Sequence, residues 1–303
     1  QLSVPIEQTV QFIHDLQDTK ISLERINEIH QKTDENTNKT ETTLSPLPLE
    51  GVGGRSNSKE INISNLTFQY EGPHSKKVLN QITLKIPEGN VTAIVGASGS
   101  GKTTLIKLLL QYYNPVEGEI IIGEKNLQNF NTTWWRNQCG AVMQDGFIFS
   151  ESIARNIAVS NDEIDKDRLA YAAKTANIHD FIMELPLKYN TVIGGEGQNL
   201  SQGQKQRVLI ARAVYKNPDY LFFDEATNSL DANNEKAIVE NLQKFYEGKT
   251  VIIVAHRLST VKNANQIIVL DDGKIVETGN HKQLTEKRGA YYELVKNQLE
   301  LGN

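Results

Sequence analysis

Val91-Thr92-Ala93-Ile94-Val95-Gly96-Ala97-Ser98-Gly99-Ser100-Gly101-Lys102-Thr103-Thr104-Leu105 is the stretch whose reading decides the fold. Gly96 to Thr103 fits G-x-x-x-x-G-K-[ST] completely, and both flanks agree. An apolar strand, Val91–Val95, leads in. A helix expected over Thr103–Tyr113 leads out and stops at Pro115. Glycines let the backbone curl so that successive N–H groups face one ligand, and the helix N-terminus adds its positive dipole end. That combination seats phosphate. Lys102 is expected to reach the β- and γ-phosphates of a nucleoside triphosphate, and the Thr103 hydroxyl to hold Mg²⁺. A glycine-rich turn with a chance Lys-Thr is the plain alternative, and it accounts for neither flank.

Working outward, Tyr220-Leu221-Phe222-Phe223-Asp224-Glu225 is an apolar strand ending in two acids. Carboxylates at a strand end lie where a parallel sheet opens its ligand crevice. Asp224 is expected to hold Mg²⁺, mostly through water. Glu225 is placed to act as general base toward an attacking water. Alone, Asp-Glu reads equally well as a solvated acidic turn; the preceding phosphate loop favours the functional reading.

Other segments fill in an α/β fold. Glu60–Tyr70 and Val78–Ile86 read as strands with a loop around Gly72-Pro73. Ile153–Leu187 is mostly helical in pattern, and Ser201–Tyr215 is a further helix. Thr250–Ala255 is an apolar run of buried-strand length. Ile267–Leu270 and Lys274–Thr278 flank Asp271-Asp272-Gly273, a hairpin turn. Strands alternating with helices argue for a largely parallel core. Ahead of it, Val10, Ile13, Leu16, Leu23, Ile26 and Ile29 predict a helix over residues 1–30. Residues 31–58 have a linker composition, and a compact domain is expected over 59–303.

Composition sets bounds. The chain has 303 residues and a net charge of −5, which disfavours a general nucleic-acid binder. Its one cysteine, Cys139, suits a reducing compartment. No apolar run approaches a membrane span. The chain opens at Gln1 without an initiator Met, so an excised fragment is expected.

Leu200-Ser201-Gln202-Gly203-Gln204, followed by Lys205-Gln206-Arg207, resembles the signature motif of ABC ATPases. Other positions match that family in order. Tyr70 stands where its adenine-stacking aromatic stands, Gln144 at the Q-loop glutamine, and Ser229-Leu230-Asp231 at the D-loop. His256 stands at the switch histidine. Singly, Tyr70 would be a packed strand aromatic, Gln144 a loop amide and His256 a strand-end residue; together they carry the resemblance.

The resemblance implies a P-loop NTPase (RecA-like) core with an antiparallel β subdomain and a helical subdomain over about 147–205. It implies ATP and Mg²⁺ as ligands. Tyr70, Val78, Gly96, Ala97, Ser98, Gly99, Ser100, Gly101, Lys102, Thr103 and Thr104 would contact nucleotide. Thr103, Gln144 and Asp224 would surround the metal. Glu225, His256, Lys102 and Gln144 would serve catalysis. Ser201, Gly203, Gln204 and Asp231 would act on the nucleotide of an opposing protomer, so a second copy is implied, arranged head to tail. Two positions depart from the family pattern. Gln202 replaces a glycine of the signature. In Gly194-Gly195-Glu196-Gly197 the glutamate stands one place later than usual in exporters.

Exporter-like features continue. Pro5–Ile29 resembles the cytoplasmic end of an exporter's last transmembrane helix. Gln144-Asp145-Gly146-Phe147-Ile148-Phe149 resembles the exporter Q-loop region, making Phe147 and Phe149 candidates for the groove that receives a coupling helix; the alternative is packing in the helical subdomain. The likeness is greatest to bacterial peptide and bacteriocin exporters, including those with an N-terminal peptidase. This implies a transmembrane domain in the same polypeptide, a peptide cargo, no nucleic-acid partner, and a place on the cytoplasmic side of the bacterial inner membrane. Lipid and multidrug exporters share every motif. Soluble ABC ATPases acting on nucleic acid or ribosomes usually carry tandem domains or a coiled-coil insertion, which this chain lacks.

Overall fold

A computed structural model describes residues 59–72, 75–159, 163–195, 197, 199–255 and 257–301. The helix expected over 1–30, the linker over 31–58, Pro73, Glu196 and His256 lie outside the described residues.

In chain order, β1 (Ile61–Phe68), β2 (Leu79–Ile86) and β3 (Val91–Val95) precede helix α1 (Lys102–Leu109). Strands β4 (Glu117–Ile122) and β5 (Lys125–Asn126) lead to α2 (Thr132–Gln138) and β6 (Cys139–Val142). A helical stretch follows: β7 (Glu151–Ser152), α3 (Ile153–Ala158), α4 (Lys166–Thr175), α5 (His179–Glu184), β8 (Val192–Ile193) and α6 (Gln202–Lys216). The chain continues through β9 (Tyr220–Asp224), α7 (Ala232–Phe245), β10 (Thr250–Val254) and α8 (Leu258–Val261). It ends with β11 (Gln266–Asp271), β12 (Lys274–Gly279), α9 (His281–Lys287) and α10 (Ala290–Leu301).

Two main sheets result. One is antiparallel, in the order β2-β1-β4-β5; the other runs β12-β11-β3-β10-β9-β6 and is parallel except for the β11–β12 hairpin. Strand β2 alternates, with Leu79, Ile82, Leu84 and Ile86 buried and Gln81, Thr83 and Lys85 exposed, as a sheet with one wet face requires. Strands β9 and β10 are buried at every position, because both faces of the parallel sheet are covered. Their side chains divide by the two-residue period. Leu221, Phe223, Val251 and Ile253 join the core shared with α3–α7, whereas Tyr220, Phe222, Ile252 and Val254 join the core shared with α1 and the antiparallel sheet.

Helix α1 contributes Leu105, Ile106, Leu108 and Leu109 to the second core, which anchors the loop before it. The segment read as mostly helical, Ile153–Leu187, is three short helices: α3 and α4 pack on α6, α5 packs on α4, and the antiparallel β7–β8 pair closes the segment. No helix among the described residues is long and apolar enough to cross a membrane.

Candidate nucleotide site

The parallel sheet sets the site by register. Val254 pairs with both Ile94 and Asp224, and Val142 pairs with Phe223. The loops after β3, β9, β10 and β6 therefore open at one sheet edge. They carry the Gly96–Thr103 loop, Glu225, the residues leading to His256, and Gln144. Ligands in parallel α/β sheets bind at this edge.

Two glycines in the loop are required by contact. A Cβ on Gly96 (φ 154°) would meet the Leu270 carbonyl oxygen, and one on Gly101 (φ 103°) would meet the Leu79 side chain and the Val78 carbonyl. Val78 thus lies under the loop. Gly101 caps α1 without a side-chain acceptor, so the first-turn amides remain available to an anion. Ala97, Ser98 and Gly99 are exposed, while Ser100 is buried and its hydroxyl has no hydrogen-bond partner. Lys102 Nζ donates to the carbonyls of Gly96 (3.0 Å) and Ala97 (2.8 Å). Burial pushes the Lys102 pKa down, against the attraction of Glu225 and Asp224. An incoming phosphate offers this cation better acceptors than two carbonyls.

Asp224 is fully buried, and neither carboxylate oxygen makes a hydrogen bond of normal geometry. Burial raises its pKa; the Thr103 hydroxyl lowers it, the Glu225 charge raises it, and Lys102 and Lys107 lower it. An orphaned buried carboxylate beside a threonine hydroxyl fits a hard cation. Thr103, Asp224 and the exposed Gln144 on the turn after β6 are the residues that would hold Mg²⁺. No group of three or more His, Cys, Asp or Glu side chains capable of holding a metal occurs among the described residues.

Glu225 adopts φ 53°, and its N–H donates to the Val254 carbonyl at 3.0 Å, so the chain turns sharply as it leaves β9. Its carboxylate accepts from Asn228 Nδ2 at 2.7 Å. Tyr70 lies just past β1 and is half-exposed. Its hydroxyl bonds the Thr104 hydroxyl at 2.8 Å, and its ring meets Phe68 and Tyr113 edge-on. It is therefore an accessible ring fixed beside the phosphate loop rather than a core aromatic.

Ser201, Gly203 and Gln204 stand apart from these groups. Ser201 caps α6; its hydroxyl accepts from Gln204 N–H, and the Gln204 side chain accepts from Ser201 N–H. The amides of Gln202 and Gly203 make no hydrogen bond among the described residues. Gln202 occupies the first helical position and leaves this end open. No hydrogen bond or ion pair joins Ser201, Gly203 or Gln204 to the Gly96–Thr103 loop. Asp231 caps α7 through Asn234 N–H at 3.0 Å.

The sequence reading missed a basic groove of about 530 Å³ between β6 and the helices α3, α4 and α6. Arg136, Arg168, Arg212 and Lys216 line it with Tyr112 and Tyr215, and no carboxylate does. Its residues come from elements far apart in the chain, so no local motif announces it. Phe147 and Phe149 are exposed nearby rather than packed into the helical core. Arg212 lies over the Phe149 ring and bonds the Phe147 carbonyl (3.0 Å), and the fully buried Asn156 bonds the Phe149 backbone.

Comparison with known proteins points to one family. Residues 79–228 match the family described as ABC transporter. The chain is 42% identical over 301 residues to the leukotoxin translocation ATP-binding protein LktB of Mannheimia haemolytica, and equally to that of Bibersteinia trehalosi. The alignment covers 99% of this chain and 41% of each relative, so the chain spans about two fifths of their length. A solved structure, described as a bacterial Atm1-family ABC exporter with ATP bound, superposes with a TM-score of 0.77 at 38% identity, covering 80% of this chain and 42% of that one. The chain therefore belongs to the ABC transporter family and carries its ATP-binding domain.

Proposed function

We propose that this chain is the ATP-hydrolysing half of an export motor in the bacterial inner membrane, facing the cytoplasm and working as a head-to-tail pair. The observation that carries the reading is a division of labour. The phosphate loop, Asp224 and Glu225 share one sheet edge, whereas the open amides of Gln202 and Gly203 make no bond to that loop. An arriving γ-phosphate on a second copy supplies the acceptor those amides lack.

In this reading, Lys102 leaves the Gly96 and Ala97 carbonyls for the β- and γ-phosphates, and the loop amides cradle them. Tyr70 stacks on adenine. Glu225 accepts a proton as water oxygen bonds the γ-phosphorus and the bond to the bridging oxygen breaks, leaving ADP and phosphate. Gln144 and His256 orient the water and the γ-phosphate. Mg²⁺, held by Thr103, Asp224 and Gln144, would neutralise phosphate charge.

The basic groove beside Phe147 and Phe149 supports a membrane-domain partner docking there, in the same polypeptide. Relatives named for leukotoxin translocation support a peptide or protein cargo. The test is ATP hydrolysis against protein concentration. Turnover is expected to rise more than linearly, and Glu225→Gln to bind ATP, lose turnover about 10²- to 10⁴-fold and dimerise. Linear dependence down to dilute monomer would contradict the shared site.

A further inference from the structure

The loop Asn228–Asp231 is held from two sides. Arg257, next after His256 in the sequence, donates through Nη1 to the Glu235 carboxylate and to the Leu230 carbonyl at 3.4 Å, and through Nη2 to the Asn228 carbonyl at 3.2 Å. Glu235 is buried on α7, and its other oxygen accepts from the Ser259 hydroxyl at 2.7 Å. On the opposite side the Ser229 carbonyl abuts the first turn of α6, where a Cβ on Gly203 would stand 3.2 Å from it. The Asn228 side chain in turn holds Glu225 at 2.7 Å. One short loop thus touches the general base, the turn lent to a partner's nucleotide, and Arg257.

We propose that Arg257 is a positioning residue: with Glu235 it fixes the Asn228–Asp231 loop so that Asn228 orients Glu225 and Ser229 seats Gly203. The loop then couples a chain's own ATP to the turn it presents to its partner. This rests on the ATPase reading above. The guanidinium suits the task because its planar fork reaches acceptors at three separate positions, whereas an ammonium is a point charge. Only the Glu235 end of this ion pair is buried, so the pair is poor evidence for stability, and fixing geometry is the better-attested use of such pairs. Glu235, itself held by Ser259, fixes the direction of the fork.

The test turns on Arg257→Lys, which keeps a cation beside Glu235, and with it the fold, but cannot span the Asn228 and Leu230 carbonyls. Its melting temperature is expected near that of the unsubstituted chain. With ATP affinity, read by a fluorescent ATP analogue, unchanged within about twofold, kcat should fall about 10- to 100-fold, as for a slightly misplaced base. A role confined to neutralising Glu235 leaves kcat unchanged in this variant, and that result overturns the proposal. The double variant Arg257→Met/Glu235→Met removes both charges at similar volume and is expected to fold and show the same loss; full turnover there also overturns it. Glu225→Gln run in the same assay separates the two claims. Full turnover in Glu225→Gln removes Glu225 as the base, and no turnover in the unsubstituted chain sinks the ATPase reading itself. An inactive Glu225→Gln beside a fully active Arg257→Lys sinks only the role given to Arg257.

Discussion

Replacing Asp224 by Asn should make the nucleotide-free domain more stable and its MgATP site worse. Asp224 is fully buried and its oxygens lack hydrogen bonds of normal geometry, so its negative charge weighs against the folded state until a cation arrives. The sign follows from linkage. Burial raises the folded pKa of this acid above its unfolded value, so its contribution is most favourable below the unfolded pKa and declines as pH rises toward the raised folded value. Asparagine is neutral and isosteric, and the Thr103 hydroxyl is a partner for it. The stability gap between the Asp224→Asn variant and the native chain should therefore grow through that window and level off above it. An unsatisfied buried polar group costs about 1–3 kcal/mol, which for a domain of this size is a rise of about 2–12 °C in melting temperature. Saturating MgATP at about a hundred times Kd should then add about 2.7 kcal/mol to the native chain. The variant should lose the Mg²⁺-dependent part of that gain. Differential scanning fluorimetry with ATP, with and without Mg²⁺, reads both effects. A variant that is less stable without ligand, or that keeps the full Mg²⁺-dependent shift, refutes the reasoning.

Two more outcomes follow from the same geometry. Lys102→Ala removes a charge-assisted contact worth about 1.5–3 kcal/mol, so calorimetric ATP affinity should weaken about 10- to 150-fold; unchanged affinity would contradict the position of its ammonium. Tyr70→Ala should lose about 1–3 kcal/mol of base stacking while Tyr70→Trp retains it, and equal affinities for both variants would remove Tyr70 from the adenine site.

Local chemistry was the legible part of this sequence. The phosphate loop announces itself because its glycines serve backbone conformations that other residues reach only with strain. Tyr220–Asp224 announces itself because a strand buried on both faces needs an unbroken apolar run. Helix α7 is legible in Ile238, Leu242 and Phe245, which recur at helical spacing. Strand β6 offers four residues, among them Gly140 and Ala141, and has no pattern of its own; only pairing with β9 defines it. The basic groove and the Arg257 contacts depend on side chains brought together by tertiary packing, which no spacing in the chain records. At Tyr70 the sequence left a packed aromatic and an accessible one open. The half-exposed ring beside Thr104 favours the second.

The central claim is that each ATP site is completed by another chain, and mixing two inactive variants tests it most directly. Glu225→Gln spoils the base of its own site. Ser201→Glu places a negative charge where a partner's γ-phosphate would sit, while the carboxylate remains compatible with the helix N-terminus. Each should be nearly inactive alone. In a head-to-tail pair of one with the other, one of the two sites has its base and its facing α6 turn intact. Random pairing of equal amounts should therefore restore roughly a quarter of native turnover. A mixture no more active than the sum of its separate components would contradict the shared site and leave the phosphate loop to work with its own chain alone.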